Sequence, residues 1–161
     1  MTQIIKTEPL TPSAFAPFGD VISFEGAADL MINQGNCERY HDKANLTFTD
    51  GAAGISLFDA KPRSLPYHLD MMERHPYGSQ AFLPMTQHPF LVIVAADETG
   101  RPGTPRAFIT APAMGVNYHA NIWHGVLTPL HAPGHFAVID RIGDGVNLEE
   151  YWFEEAFTIT A

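Results

Sequence analysis

The stretch Glu73 to Met85, E-R-H-P-Y-G-S-Q-A-F-L-P-M, decides how this chain reads. It sets a carboxylate (Glu73), a guanidinium (Arg74), an imidazole (His75) and an amide (Gln80) close together. Glu73 and His75 flank one residue, so on an extended strand both project from the same face. Pro76 and Gly78 break that strand, and Gln80 opens a second piece whose Ala81, Phe82 and Leu83 are apolar. A later stretch, Gly115 to His124, G-V-N-Y-H-A-N-I-W-H, brings two more imidazoles. We expect the two stretches to meet across one small barrel.

The flanking sequence supports that picture. Phe90 to Ala95 follows Pro89 as an apolar run of strand length, far too short to span a bilayer. Extended segments are also expected at 20–24, 54–61, 67–73, 106–110 and 135–141, with a turn-rich loop over 97–105. Gln3 to Glu8 alternates weakly and reads as an edge strand. Thr11-Pro12-Ser13 predicts a short helix, with Thr11 as its cap, Pro12 in the first turn and Gly19 as its stop. Thirteen glycines, thirteen prolines and no long apolar-periodic helix point to many short strands joined by turns. The reading is therefore one mainly β domain over residues 1–161, a jelly roll or small barrel behind a short N-terminal helix. The acidic end around Glu149-Glu150 and Glu154-Glu155 is expected to lay its aromatics on the barrel exterior, without chemistry.

Composition narrows the function. A formal charge of -9 argues against nucleic acid and anionic membranes, which need clustered lysines and arginines. A small anionic substrate stays open, because a few inward arginines reverse the local field. Cys37 is the only cysteine, so no intrachain disulfide forms, and a cytoplasmic setting is expected. The first twenty residues lack the basic and apolar segments of a signal peptide.

Among eight histidines, His75, His119 and His124 stand out because each lies with other polar groups beside a turn. His119 and His124 are an odd number of positions apart, which on a strand puts them on opposite faces unless the chain turns near Asn121. His119 is the expected reacting partner and His124 a structural one. Metal-binding cupin barrels carry an H-x-H pair, a nearby carboxylate and a late histidine. Here Glu73-x-His75 stands for H-x-H, Gln80 for the carboxylate and His119 for the late histidine. Those four groups could hold a divalent ion or hydrogen-bond a substrate. Arg39, Arg74 and Arg106 are the natural grips for a carboxylate, each competing with acids of the chain itself. The polar segment Ile32 to Asp42, I-N-Q-G-N-C-E-R-Y-H-D, reads either as a turn and edge strand or as an arm over a pocket. No phosphate loop, nucleotide fingerprint, G-x-S-x-G elbow or H-E-x-x-H helix occurs.

Five ordered blocks then carry a resemblance: A-F-A-P-F-G-D-V-I (Ala14 to Ile22), the Ile32 to Asp42 segment, the Glu73 to Met85 stretch, R-A-F-I-T (Arg106 to Thr110) and G-V-N-Y-H-A-N-I-W-H. Together, from about Leu10 to about Asp140, they resemble ureidoglycolate lyase, formerly called ureidoglycolate hydrolase. The last twenty residues add nothing to it. The resemblance implies a cupin-like β-barrel, a homodimer, and cleavage of (S)-ureidoglycolate to glyoxylate and urea in allantoin degradation. It also implies that a divalent metal such as nickel or manganese serves some members. On that reading His75 or His119 is the base and Glu73 orients it or protonates the leaving nitrogen. Arg74 or Arg39 holds the carboxylate, and Gln80 and Tyr118 bind the ureido group. Another metal-dependent cupin enzyme, or a small-acid-binding module without catalysis, are the competing readings.

Overall fold

A computed structural model describes residues 3–161. The strands are β1 (Gln3–Pro9), β2 (Gly19–Ile22), β3 (Leu30–Ile32), β4 (Cys37–Arg39), β5 (Ala52–Asp59), β6 (Tyr67–Arg74), β7 (Gln80–Pro84) and β8 (Phe90–Ala95). They continue with β9 (Arg106–Ile109), β10 (Gly115–Tyr118), β11 (Trp123–His124), β12 (Thr128–Pro129), β13 (His135–Ile142) and β14 (Glu149–Thr160). One helix, α1 (Pro12–Phe15), precedes β2; the Thr11 hydroxyl accepts from the Ala14 amide at 3.2 Å, the cap its sequence announced. Gly19 does not stop this helix, which ends at Phe15. Gly19 opens β2, where a Cβ would collide with the Asn117 carbonyl of β10.

Two sheets form the molecule. The larger runs β11-β6-β14-β1-β9-β8-β12 and closes on itself because β11 also pairs with β8. The smaller runs β2-β10-β7-β13-β5. This nearly all-β, barrel-forming architecture is the cupin-like fold the sequence predicted. A hairpin of β3 and β4 stands apart from both sheets.

β8 explains why the two layers cohere. All six of its residues are buried, which a strand achieves only when both faces are covered. Leu91, Ile93 and Ala95 join Leu69, Met72, Ala107, Trp123 and Ile159 inside the closed barrel. Phe90, Val92 and Val94 point the other way and pack with Phe15, Phe82, Phe108, Val116, Phe136 and Val138 between the sheets. Each fully buried side chain of this size contributes about 1.5–3 kcal/mol.

Two expectations are corrected here. Gln3–Pro9 is not an edge strand: β1 lies between β14 and β9, parallel to both. The acidic C-terminal segment is not a surface apron either, since β14 is a barrel strand between β6 and β1. Its Phe157 and Ile159 enter the core, and Tyr151 and Phe153 pack against it, leaving Trp152 outside. Gln3–Pro9 alternates too weakly in polarity for its pairing to be read locally, and in β14 the alternation slips at the register shift between Trp152 and Phe157. No helix among the described residues is long and apolar enough to cross a membrane.

Candidate active site

The site forms between the sheets. On β11, Trp123 turns into the closed barrel, so His124 faces the opposite side. There its ring stacks on Tyr118 of β10, with centroids 4.3 Å apart and planes 4° from parallel. His124 is paired directly with Glu73 of β6, and the His75 ring lies 5.2 Å from that of His124. Potential ligand atoms of Glu73, His75 and His124 all lie within 4.8 Å of one another.

The tautomers follow from the neighbours. His75 Nδ1 is 2.7 Å from the Asn147 carbonyl, and His124 Nδ1 is 3.0 Å from the Gly125 carbonyl. A carbonyl only accepts, so both rings carry their proton on Nδ1. Both Nε2 atoms are left as lone-pair donors, and both are buried without a partner among the described residues. Burial and the adjacent His75 push the His124 imidazole down to about 3, so it stays neutral. Burial raises the Glu73 carboxyl above its usual range; the neighbouring His75 opposes that rise and Glu150 reinforces it. His75 Nε2 and Glu73 Oε1 are 3.9 Å apart.

The smaller sheet supplies the facing wall. Tyr118 and Gln80 are register partners of β10 and β7. The pairing of Ile139 with Ala81 places Asp140 of β13 opposite Gln80 on its other side. Gln80 Nε2 donates to Asp140 Oδ2 at 3.2 Å, and Gln80 Oε1 is buried without a partner among the described residues. Burial and the Glu73 charge drive the Tyr118 phenol far up, so it remains protonated.

The residues expected from sequence divide accordingly. Glu73 and His75 come together, with Tyr118 and Gln80 on the opposite wall. His119 does not join them: its Nε2 lies 3.0 Å from Asp20 Oδ2, beside Asn117, whose amide also donates to Asp20. His124 takes the place foreseen for His119, because Asn121 adopts a left-handed φ of 65° and the chain turns before β11. Arg74 is engaged elsewhere, donating to Glu149 at 2.6 Å and Asp97 at 2.8 Å, with its guanidinium 4.4 Å over the Trp123 ring. Arg106 pairs with Glu8. Arg39 is exposed on β4. Asn147 and Asp140, which hold His75 and Gln80, were not singled out in the sequence. The one available signal was their position on and just after the strand preceding the acidic end.

The donor set fits a divalent ion. A carboxyl group and two imidazoles with unpartnered, buried Nε2 atoms converge on one space, a combination suited to nickel, manganese or zinc. Glu73, His75 and His124 would hold it. Gln80, expected among the ligands, is tied to Asp140, and His119 to Asp20.

A two-sheet β-barrel with an imidazole–carboxylate cluster between its sheets is a cupin-like protein of the enzyme kind. The ureidoglycolate lyase family model matches residues 2–160, and the chain belongs to that family. It is 61% identical over 148 residues to the ureidoglycolate lyase of Rhodobacter capsulatus, covering 91% of this chain and 92% of that protein. The similarly named proteins of Chelativorans sp. and Mesorhizobium japonicum are 52% and 53% identical over 157 residues, covering 96% of this chain and 95% and 96% of theirs. The match includes the C-terminal segment that the five sequence blocks left out.

Proposed function

We propose that this chain splits ureidoglycolate into glyoxylate and urea at the Glu73–His75–His124 cluster, with Tyr118 and Gln80 as the facing wall. The observation that carries this reading is the site's donor–acceptor balance. His75 Nε2, His124 Nε2 and Gln80 Oε1 are buried atoms that can only accept, and Glu73 adds a carboxylate. Their complement is a cation or a molecule rich in N–H donors, and a ureido group is such a molecule.

The substrate is a hemiaminal. Its hydroxyl must lose a proton as the carbonyl forms, and the C–N electron pair must leave on a urea nitrogen that gains a proton. His75 Nε2 is the acceptor for the hydroxyl proton. The proton taken up by His75 passes through Glu73, whose carboxyl burial raises and which lies 3.9 Å away, to the departing nitrogen, so both groups return to their starting states. His124 stays neutral and orients the substrate. A divalent ion, when bound to Glu73, His75 and His124, would supply Lewis-acid polarisation of the substrate's carboxylate and hydroxyl oxygens. The substrate enantiomer, taken as (S), and a place in allantoin degradation belong to the same reading, as does a cytoplasmic location.

A homodimer is part of the proposal. It is supported by the outer face of the smaller sheet, where Ile55 and Leu57 are 76% and 73% exposed, with Met85 exposed just past the end of β7 in the same sheet. Contiguous apolar surface of this kind favours association. Light scattering on the purified chain checks it, and a monomer at micromolar concentration would remove it.

The test of activity is release of glyoxylate and urea from racemic ureidoglycolate, with and without a chelator. Equal yields of both products support the lyase reading, and half-consumption of the racemate reports the enantiomer. Ammonia in place of urea would overturn it in favour of amidohydrolysis, as would no turnover with nickel or manganese added. Loss of activity on chelation, restored by the metal, would assign His75 Nε2 to the ion and leave proton transfer to Glu73.

A further inference from the structure

We propose that Asp140 is a specificity-determining positioning residue, which locks the Gln80 amide so that only its oxygen faces the ligand. This inference rests on the lyase reading for its ligand class and on geometry for its mechanism. An amide is nearly symmetric in shape, and its two ends differ only in whether they donate or accept. A free glutamine can present either end, and so distinguishes poorly between a ligand N–H and a ligand carbonyl. Gln80 is not free. Its Nε2 lies 3.2 Å from Asp140 Oδ2, and an ionised carboxylate only accepts, so the NH2 end is held against Asp140.

The oxygen end is thereby fixed as well. Gln80 Oε1 is buried and finds no partner among the described residues, on a residue only 7% exposed. An unpartnered buried acceptor is costly, and it stays tolerable in the working enzyme when the ligand supplies the missing N–H. The backbone supports this placement. Tyr118, Gln80 and Asp140 occupy adjacent positions across β10, β7 and β13, and Tyr118 closes the row against His124. Asp140 thus acts through Gln80, and what it selects is the terminal N–H2 of a carbamoyl group over an isosteric methyl ketone.

Two probes that the enzyme cannot cleave read this selection by calorimetry. Ureidoacetate keeps both N–H groups and lacks the hydroxyl of the substrate. Levulinate has the same shape with a methyl and a methylene in place of the two nitrogens. The wild-type chain should bind ureidoacetate at least about tenfold more tightly than levulinate, as expected when a buried acceptor is otherwise left unpaired. In Asp140→Asn the new amide can donate or accept, Gln80 can turn, and the ratio should fall to within about threefold. Gln80→Leu, which removes the amide while the Asp140 carboxyl stays in the chain, should reach the same low ratio. The double variant should show no further loss, since both act through one contact.

A folded D140N chain that keeps the wild-type ratio would overturn the proposal. So would a wild-type chain with no preference, or a double variant whose losses add. A chain that prefers ureidoacetate yet leaves ureidoglycolate uncleaved would instead remove the lyase reading and leave the role of Asp140 standing.

Discussion

Glu73 and His124 sit directly opposite one another as paired residues of β6 and β11, although about fifty residues of chain separate them. That pairing, with His75 one residue beyond β6, makes the carboxylate–imidazole cluster. His124→Ala should therefore lower turnover by about 10²-fold or more, the scale of a lost reacting or ligand group. His119→Ala should cost less than about tenfold, because His119 contacts Asp20 instead. Steady-state kinetics on the two variants decide between them. Equal losses, or a larger loss at His119, would reverse the assignment.

Arg74 is tied into the fold by two acids and an aromatic ring. Its guanidinium spans Glu149 and Asp97 while resting on Trp123, and its side chain is only 13% exposed. Arg74→Ala should destabilise the protein by about 1–2 kcal/mol, from charge-assisted hydrogen bonds and the cation–π contact, discounted for the exposure of both acids. KM should change little. Urea unfolding beside kinetics separates the two effects, and a large rise in KM at unchanged stability would return Arg74 to the substrate.

Asn147 is held twice to the turn that follows β6. Its carbonyl accepts from His75 Nδ1 and its side-chain oxygen accepts from the Tyr77 amide, both at 2.7 Å. Asn147→Ala keeps the backbone carbonyl that faces His75 but loses the acceptor for the Tyr77 amide, so it should loosen that turn, misplace the carbonyl and reduce activity about 10-fold or more. Asn147→Asp, which keeps the acceptor, should recover most of it. Long-range nitrogen–proton NMR on the His75 ring should find the proton on Nδ1 in the wild type and a tautomer mixture in the alanine variant. An unmixed Nδ1–H signal in both proteins would count against this account.

Asp20 makes part of the stability depend on acid. Burial works upward on its carboxyl, but hydrogen bonds from Asn117, the Asn45 backbone and His119 outweigh it and hold it below the ordinary 3.8. A carboxyl depressed in the folded state stabilises fully above its unfolded value and loses that contribution as pH falls through the folded value. The wild-type chain should therefore shed this increment below about pH 4, and Asp20→Asn should flatten the fall. Urea midpoints of both proteins between pH 2.5 and 7, values chosen to bracket that range, check the sign; parallel curves would remove Asp20 as the source.

The sequence by itself determined the β class, the short capped helix, the buried strand Phe90–Ala95 and the closeness of Glu73 to His75. Those are local matters. Two-residue periodicity puts Glu73 and His75 on one face, a Thr-Pro pair caps a turn, and an unbroken apolar run needs cover on both sides. Which late histidine joins the cluster was decided by the tertiary structure, because the left-handed Asn121 resets the face that β11 presents. The same holds for β1, whose weak alternation hid its place inside the barrel wall, for β14, whose pattern slips at a register shift, and for Arg74, whose partners lie far along the chain. Asp140 and Asn147 became visible only once pairing had brought them to Gln80 and His75. A hydrogen-bond partner across a sheet is set by register, and register is a property of the folded chain.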